Sequence, residues 1–148
     1  MAGKEKDDYQ TLKKNVFKGL DRIDRIENIV VAGMFDINYC IDGIEGWIEL
    51  KSPKEPKRLS TPLFGSNHKL SIDQMNWALR QRNAGGIAFV LIATDLRWML
   101  IDGKFSDQIN TSTVDVLENV ARWSAVKPID SDHWNGLRLA ITSIDLLI

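Results

Sequence analysis

The sequence is poor in the residues on which many small zinc-binding and disulfide-bonded proteins depend. It has one cysteine, Cys40, and two histidines among 148 residues. A single cysteine excludes an internal disulfide, and these few sulfur and imidazole groups form no zinc motif of familiar spacing. No apolar run approaches the about 20 residues that a membrane-spanning helix needs. Phosphate-binding loops, dinucleotide motifs and G-x-S-x-G nucleophile motifs are also missing.

Neither sign of charge dominates, since 19 lysines and arginines meet 20 aspartates and glutamates for a net charge of −1. This balance does not suit a protein that coats nucleic acid, although it permits a local basic patch. The length fits one domain with a substantial core, and we expect a single domain over 1–148. The charged N-terminus lacks the apolar segment of a secretory signal, and one cysteine suits a reducing compartment. We therefore expect a cytoplasmic protein without membrane contact, in the host cytoplasm if it is viral.

The candidate chemistry lies between Asp36 and Lys51. Asp42-Gly43 predicts a two-residue hairpin loop, because a type I′ turn needs positive φ at both positions. With that loop, Asp36 lies across from Glu49 on the same side of the sheet, with Cβ atoms about 5 Å apart. Lys51 follows two residues later and projects from the same face. Two facing carboxylates repel each other unless a cation lies between them.

An aspartate followed by E-x-K, with apolar residues between them, resembles the PD-(D/E)XK nuclease superfamily. The surrounding order is similar to the branch that contains VRR-Nuc domains and small phage or archaeal Holliday-junction resolvases: Gly33-Met34 before the aspartate, then Leu70-Ser71, Gln74 and Gly85-Gly86. Phe35 stands where that family usually has proline, which changes the turn before Asp36 but removes no catalytic atom. On periodicity alone, the charged residues could equally form an ordinary cross-strand cluster on a solvated face.

The resemblance implies an α/β fold of the restriction-endonuclease type, with a mixed central sheet, flanking helices and an αβββαβ core. It implies a Mg²⁺-dependent endonuclease in which Mn²⁺ can substitute, with the metal held by Asp36, Glu49 and the carbonyl of Leu50. Lys51 would orient the attacking water and stabilise charge on the phosphoryl oxygens.

Many members of the superfamily carry a further acidic ligand on the first helix. Glu5 and Asp8 are the nearest candidates here, and the sequence assigns neither. The resemblance also gives Gln74 a catalytic position, in contact with water or phosphate. Gln74 has a structural explanation as well, because Ser71 and Gln74 form the capping box of a helix.

The segment 52–69 contains three of the four prolines and no sustained periodicity, which predicts a loop. Four of its basic residues are candidates for contacts with the DNA backbone: Lys54, Lys57, Arg58 and Lys69. A plain solvated loop is the alternative. His68 in the same segment is more typical of a surface histidine than of a phosphate contact.

The remaining elements follow from periodicity. Val16 and Leu20 extend a helical stripe from Tyr9, and the second half of 22–31 is predicted to be a strand. The apolar run 87–93 predicts a buried strand, parallel to the E-x-K strand and joined to it by a right-handed crossover. Further predictions are a strand over 96–101, a helix from Ser112 or Thr113 through Trp123, and a last helical segment from His133 onward.

Two functional classes remain: a metal-dependent endonuclease and a non-catalytic DNA-binding module on a nuclease fold. Two carboxylates held against each other favour the enzyme, because a binding module does not need them. Within it, a phage-type resolvase of four-way DNA junctions is preferred to a flap, single-strand or nicking repair nuclease. Because resolution needs two cuts, we expect a homodimer, with surplus apolar surface at Trp98, Trp123, Trp134 and 146–148.

Overall fold

The computed structural model describes residues 3–27, 30–65 and 68–143. Its helices and strands are, in chain order, α1 (Gly3–Val16), β1 (Arg22–Arg25), β2 (Ile37–Ile41), β3 (Ile44–Lys51), α2 (Ile72–Asn83), β4 (Ala88–Ala93), β5 (Arg97–Asp102), α3 (Ser106–Ile109), α4 (Val114–Val120), β6 (Trp123–Val126) and α5 (Ser131–Thr142). A short 3₁₀ turn over Gly103–Phe105 precedes α3.

The six strands form one mixed sheet in which the spatial order follows the chain order. The β3–β4 pair is parallel, and every other neighbouring pair is antiparallel. A parallel pair cannot be joined by a tight turn, so the chain crosses between β3 and β4 through α2. The predicted mixed sheet, its parallel pair and the αβββαβ order are confirmed.

Helices cover both faces of the sheet. Leu12 of α1 and Leu137 of α5 belong to one apolar core, together with alternate residues of the strands. Ala78 of α2 and Leu117 of α4 belong to a second core on the opposite face. All six residues of β4 are buried, as expected for a central strand covered on both sides.

The hairpin forms as predicted. Asp42 and Gly43 both have positive φ, 51° and 81°, and they are the only two residues between β2 and β3. The resulting register pairs Ile41 with Ile44 and, at the far end, Ile37 with Ile48. Gly33, with φ of 77°, lies so close to the first turn of α2 that a Cβ atom would fall 2.1 Å from the Asp73 carbonyl. This contact sets the path of the chain into β2.

Three local predictions were wrong. Within 22–31 the strand lies in the first half and not in the predicted second half, because Arg22–Arg25 pairs with β2. The helix α4 ends at Val120, and Trp123 begins β6 because it pairs with Leu100 of the sheet. The helix α1 ends at Val16, which leaves Leu20 fully exposed. In each case pairing or packing outweighs local periodicity.

The three tryptophans do not supply the predicted surplus of apolar surface. Trp98 and Trp134 are 2% and 7% exposed, and their rings meet edge to face with centroids 5.1 Å apart. Trp123 is partly buried and stacks on Trp134. The apolar residues 146–148 lie outside the described residues. Among the described helices, none has the length and apolar character that crossing a membrane requires.

Candidate active site

Asp36 and Glu49 approach each other where the hairpin opens. The last pair of its ladder is Ile37 with Ile48; Asp36 immediately precedes β2, and Glu49 follows Ile48 on β3. The Glu49 side chain is only 8% exposed. One carboxylate oxygen of Asp36, Oδ1, is buried without a hydrogen-bond partner among the described residues. The fold therefore holds two acidic groups together and leaves at least one ligand oxygen unused.

Burial and mutual repulsion make both carboxyls hard to ionise. Desolvation is the main cause that raises the pKa of Glu49, to about 8, and the charge of Asp36 adds to it. Desolvation also raises the pKa of Asp36, while Arg25 and Lys51 oppose the rise. Glu5 raises the pKa of both carboxyls. A cation bound beside them would favour both ionised forms, because an opposite charge lowers the pKa of a carboxyl.

The structure separates the two acidic candidates of α1. Asp8 is buried and already has partners: it accepts a hydrogen bond from Ser52 Oγ at 2.7 Å and pairs with Lys4 Nζ at 3.1 Å. Glu5, one turn earlier, acts electrostatically on Asp36 and Glu49. Glu5 lies at i−4 from buried Tyr9, but Asp8 lies at i−4 from buried Leu12, so helical periodicity alone does not distinguish the two residues.

Lys51 completes the group from the end of β3. Its Nζ lies 3.8 Å from Glu49 Oε2 and donates a hydrogen bond to the carbonyl of Lys69 at 3.4 Å. Its side chain is 11% exposed. His68, next to Lys69, has φ of 67°, and its Nδ1 lies 3.7 Å from Glu5 Oε1. The chain around 68–69 therefore borders the same site, which sequence reasoning did not predict for His68.

Gln74 makes the predicted capping box. Its backbone N–H donates to Ser71 Oγ at 3.1 Å, and its side-chain oxygen accepts from the Ser71 N–H at 3.0 Å. These bonds account for the side-chain oxygen of Gln74 within the described chain. A catalytic contact of Gln74 stays a prediction.

The predicted basic loop has an anchored beginning. Lys54, Lys57, Arg58 and Lys69 are all exposed. Between them, Glu55 accepts hydrogen bonds from Thr94 Oγ1 at 2.6 Å and from Arg97 Nε at 2.8 Å. Leu63 and Phe64 are buried in the second core. The four basic side chains therefore project from a segment that is tied to the sheet at several points.

The acidic group fits a hard divalent cation by its chemistry. Carboxylate oxygens are the ligands such ions prefer, and Asp36 Oδ1 has no competing partner in the described chain. Within 3–27, 30–65 and 68–143, no three acidic, histidine or cysteine side chains are grouped closely enough to hold a metal by themselves. A cation held here would need backbone or water oxygens besides Asp36 and Glu49.

Comparison with known proteins identifies the fold. No protein-family model matches the chain, and no curated protein sequence matches it. A solved structure that is similar is Hjc from Archaeoglobus fulgidus, a Holliday junction resolvase from an archaeal hyperthermophile. The two chains share 19% identity with a TM-score of 0.53, over 78% of this chain and 90% of that one. The chain thus has the predicted restriction-endonuclease-like fold, with a mixed six-stranded sheet between helices.

Proposed function

We propose that this protein is a divalent-metal-dependent DNA endonuclease that resolves four-way junctions, of the phage resolvase type. The observation that carries the proposal is the buried pair Asp36–Glu49 beside Lys51, held at the end of a hairpin. Burying two acidic groups together destabilises the folded chain, and such an arrangement is typical of functional sites. The similar fold of a Holliday junction resolvase supports the choice of branched DNA.

Asp36 and Glu49 are the proposed metal ligands, with the Leu50 carbonyl as a third oxygen. Glu5 is the further acidic residue that we assign from α1, because its charge acts on both carboxyls. Mg²⁺ is the expected ion and Mn²⁺ its substitute, since both accept oxygen ligands. When bound, the ion acts as a Lewis acid that neutralises charge on the phosphodiester and polarises water.

Lys51 is the proposed group that stabilises the charge developing on the phosphoryl oxygens. Burial beside Glu49 and the bond to the Lys69 carbonyl fix the position of its ammonium before substrate arrives. A charge positioned in advance in a poorly hydrated site is worth more than the same charge in water. Gln74 is proposed to contact water or phosphate from the first turn of α2. The exposed side chains of Lys54, Lys57, Arg58 and Lys69 are proposed to hold the sugar–phosphate backbone.

The test of the reaction is a substrate panel. Labelled four-way junctions, flaps, single strands and linear duplexes are incubated with the protein, with Mg²⁺ or with EDTA. We expect cleavage only with the metal and fastest on the junction. Preference for flaps or single strands would replace the resolvase by a repair nuclease, and binding without cleavage would make the chain a non-catalytic module.

The test of the metal site needs no cleavage. Mg²⁺ or Mn²⁺ should raise the thermal midpoint of the wild type, because a ligand that binds only the folded state stabilises it. Asp36→Asn should show no such rise. The exposed Asp24→Asn on β1 is the matched control and should respond as the wild type does. An equal response of wild type and Asp36→Asn would disprove the assignment.

We also propose a homodimer. One site cuts one strand, whereas resolution of a junction requires two matched cuts in opposed strands, and a two-fold pair of chains provides them. Sedimentation equilibrium at micromolar protein, together with cleavage of a supercoiled cruciform plasmid, tests this. A dimer should linearise the plasmid in one binding event, and a monomer should leave nicked circles.

A further inference from the structure

A groove of about 720 Å³ lies beside α1, on the face of the sheet that also carries α5. Its wall combines hydrogen-bonding groups, one ammonium group and two indole rings. The residues used below are Asp8, Thr11, Asn15, Trp98, Lys127 and Trp134. Nothing in the proposed cleavage chemistry requires this groove.

The groove begins next to the candidate active site. Asp8 lines it and also accepts the hydrogen bond of Ser52, the residue that follows Lys51. Glu5 precedes Asp8 by three residues, which is a rise of about 4.5 Å along the helix. A strand of nucleic acid that leaves the site along α1 therefore enters the groove directly.

The sheet topology places the far end of the groove at the same end of the strands as the candidate active site. Because β3 and β4 are parallel and the next two pairings are antiparallel, β6 runs in the direction of β3. Lys127, just after β6, thus lies at the same end of the sheet as Lys51, where β3 and β6 both have their carboxyl ends. Three strand spacings of about 4.8 Å separate the two strands by roughly 14 Å. At about 3.4 Å per nucleotide, this equals about four nucleotides of a duplex strand, and fewer when the strand is extended.

The chemistry of the wall suits a nucleotide. Lys127 is exposed and can meet a phosphate, while the charge of Asp8 is balanced by Lys4 at 3.1 Å. Asn15 uses its Nδ2 to bond the Thr11 carbonyl at 2.8 Å, which leaves its Oδ1 as an acceptor within the described chain. Adenine and cytosine carry amino donors that such an oxygen can accept.

Two indoles form the apolar part of the wall. Trp98 and Trp134 meet edge to face and are 2% and 7% exposed, so only a small part of each side chain reaches the groove. A base that is stacked and paired in a duplex cannot turn toward them, whereas an unpaired base can. The mixed wall therefore favours a nucleotide that has left the stack.

We infer that the groove binds one unpaired nucleotide of the substrate strand, with its phosphate at Lys127 and its base against Asn15 and the exposed parts of the two indoles. This rests on the proposed nuclease function and adds a feature of the substrate: an unpaired nucleotide within about four positions of the scissile phosphate.

The experiment measures binding without cleavage. Protein in EDTA is titrated with a short single-stranded oligonucleotide and with an abasic oligonucleotide of equal length, and tryptophan fluorescence reports binding. The wild type should bind the base-containing oligonucleotide more tightly. Asn15→Ala should weaken only that oligonucleotide, by about two- to tenfold, as expected for one hydrogen bond. Lys127→Ala should weaken both and lower the salt-dependence slope by about one.

The matched control is Lys13→Ala, an exposed lysine of α1 outside the groove, which should leave both affinities unchanged. If Asn15→Ala does not fold, Asn15→Leu, which also removes the acceptor oxygen but keeps the side-chain volume, replaces it and should have the same selective effect. The inference is overturned if base-containing and abasic oligonucleotides bind equally, or if the groove variants behave as Lys13→Ala does.

Cleavage of a four-way junction by the same proteins separates the two proposals. If the wild type cleaves the junction but the selective binding effects are missing, the groove proposal is rejected and the nuclease proposal stands. If binding is selective but no metal-dependent cleavage occurs, the groove proposal stands and the nuclease proposal is rejected.

Discussion

Two clusters of buried charge lie on the same sheet and are composed in opposite ways. Asp102, at the end of β5, is 2% exposed and pairs with Arg82 Nε at 2.7 Å and with Arg122 Nη2 at 3.0 Å. Asp36 and Glu49 face each other and share one nearby lysine. In the first cluster the fold itself supplies the opposite charge. In the second, only Lys51 and Arg25 oppose the charges of Asp36, Glu49 and Glu5, and this shortage of positive charge distinguishes a candidate functional site from a structural ion cluster.

The largest expected effect concerns the second cluster. Lys51→Ala should lower the cleavage rate on a four-way junction by about 10²–10³-fold, because it removes a positioned charge from the transition state. Junction affinity, measured in EDTA, should change little, since the substrate in its ground state does not depend on that charge. Lys13→Ala serves as the control cation. A cleavage rate near that of the wild type would show that Lys51 has another role.

The next effect breaks the first cluster. Asp102→Asn leaves two buried arginines without their shared counter-charge and should destabilise the fold by about 3–5 kcal/mol, measured by urea denaturation. Cleavage at a temperature at which the variant remains folded should persist. If stability is unchanged while cleavage is lost, Asp102 would belong to the reaction and the contrast between the clusters would fail.

A pH series sharpens the comparison. The raised pKa of Glu49, about 8 against 4.5, means that its ionisation is harder in the folded chain than in the unfolded one. Below pH 4.5, the contribution of Glu49 to the free energy of unfolding is therefore fully present. This contribution is lost as the pH rises through about 8. In EDTA, Glu49→Gln should gain stability over the wild type as the pH rises across this window, with no gain at its acidic end.

Urea denaturation at several pH values measures this gain. The control is Glu45→Gln, an exposed position of the same strand, where a surface charge contributes little. A gain of Glu49→Gln that is constant with pH would mean that the effect comes from packing.

The smallest effect concerns the exposed charges. Neutralising Lys54, Lys57 and Arg58 together should weaken binding to all DNA sequences alike and flatten the dependence of affinity on salt. Glu55, which anchors the same segment, stays unchanged so that the loop keeps its path. An unaltered salt slope would assign these side chains to solvent.

The sequence predicted those parts of the protein that local rules determine. Asp42-Gly43 specifies its turn by backbone conformation, and this turn alone fixes that Asp36 meets Glu49. The capping box of Ser71 and Gln74 is equally local. The position of β1 was not predictable in this way, because its strand is chosen by pairing with β2 rather than by its own apolar residues.

The acidic residue that the sequence alone did not assign lies on a separate element, α1. Whether Glu5 or Asp8 faces the carboxyl pair depends on how α1 packs on the sheet, and the Asp8–Ser52 bond that marks this packing joins positions distant in the chain. The burial of the tryptophans likewise depends on α5. Periodicity shows which side of a helix is apolar but not which neighbour covers it.

The position of the carboxyl pair within one hairpin also bears on the kinetics of folding. A hairpin closes in about 1–10 μs, whereas the β3–β4 pairing must wait for the long crossover. Asp36 and Glu49 thus meet early, and their repulsion opposes the step on which the rest of the sheet builds. We expect Mg²⁺ in the refolding buffer to accelerate folding in stopped-flow experiments, and to leave the refolding rate of Asp36→Asn unchanged. The ion would then assist the folding of the site that binds it.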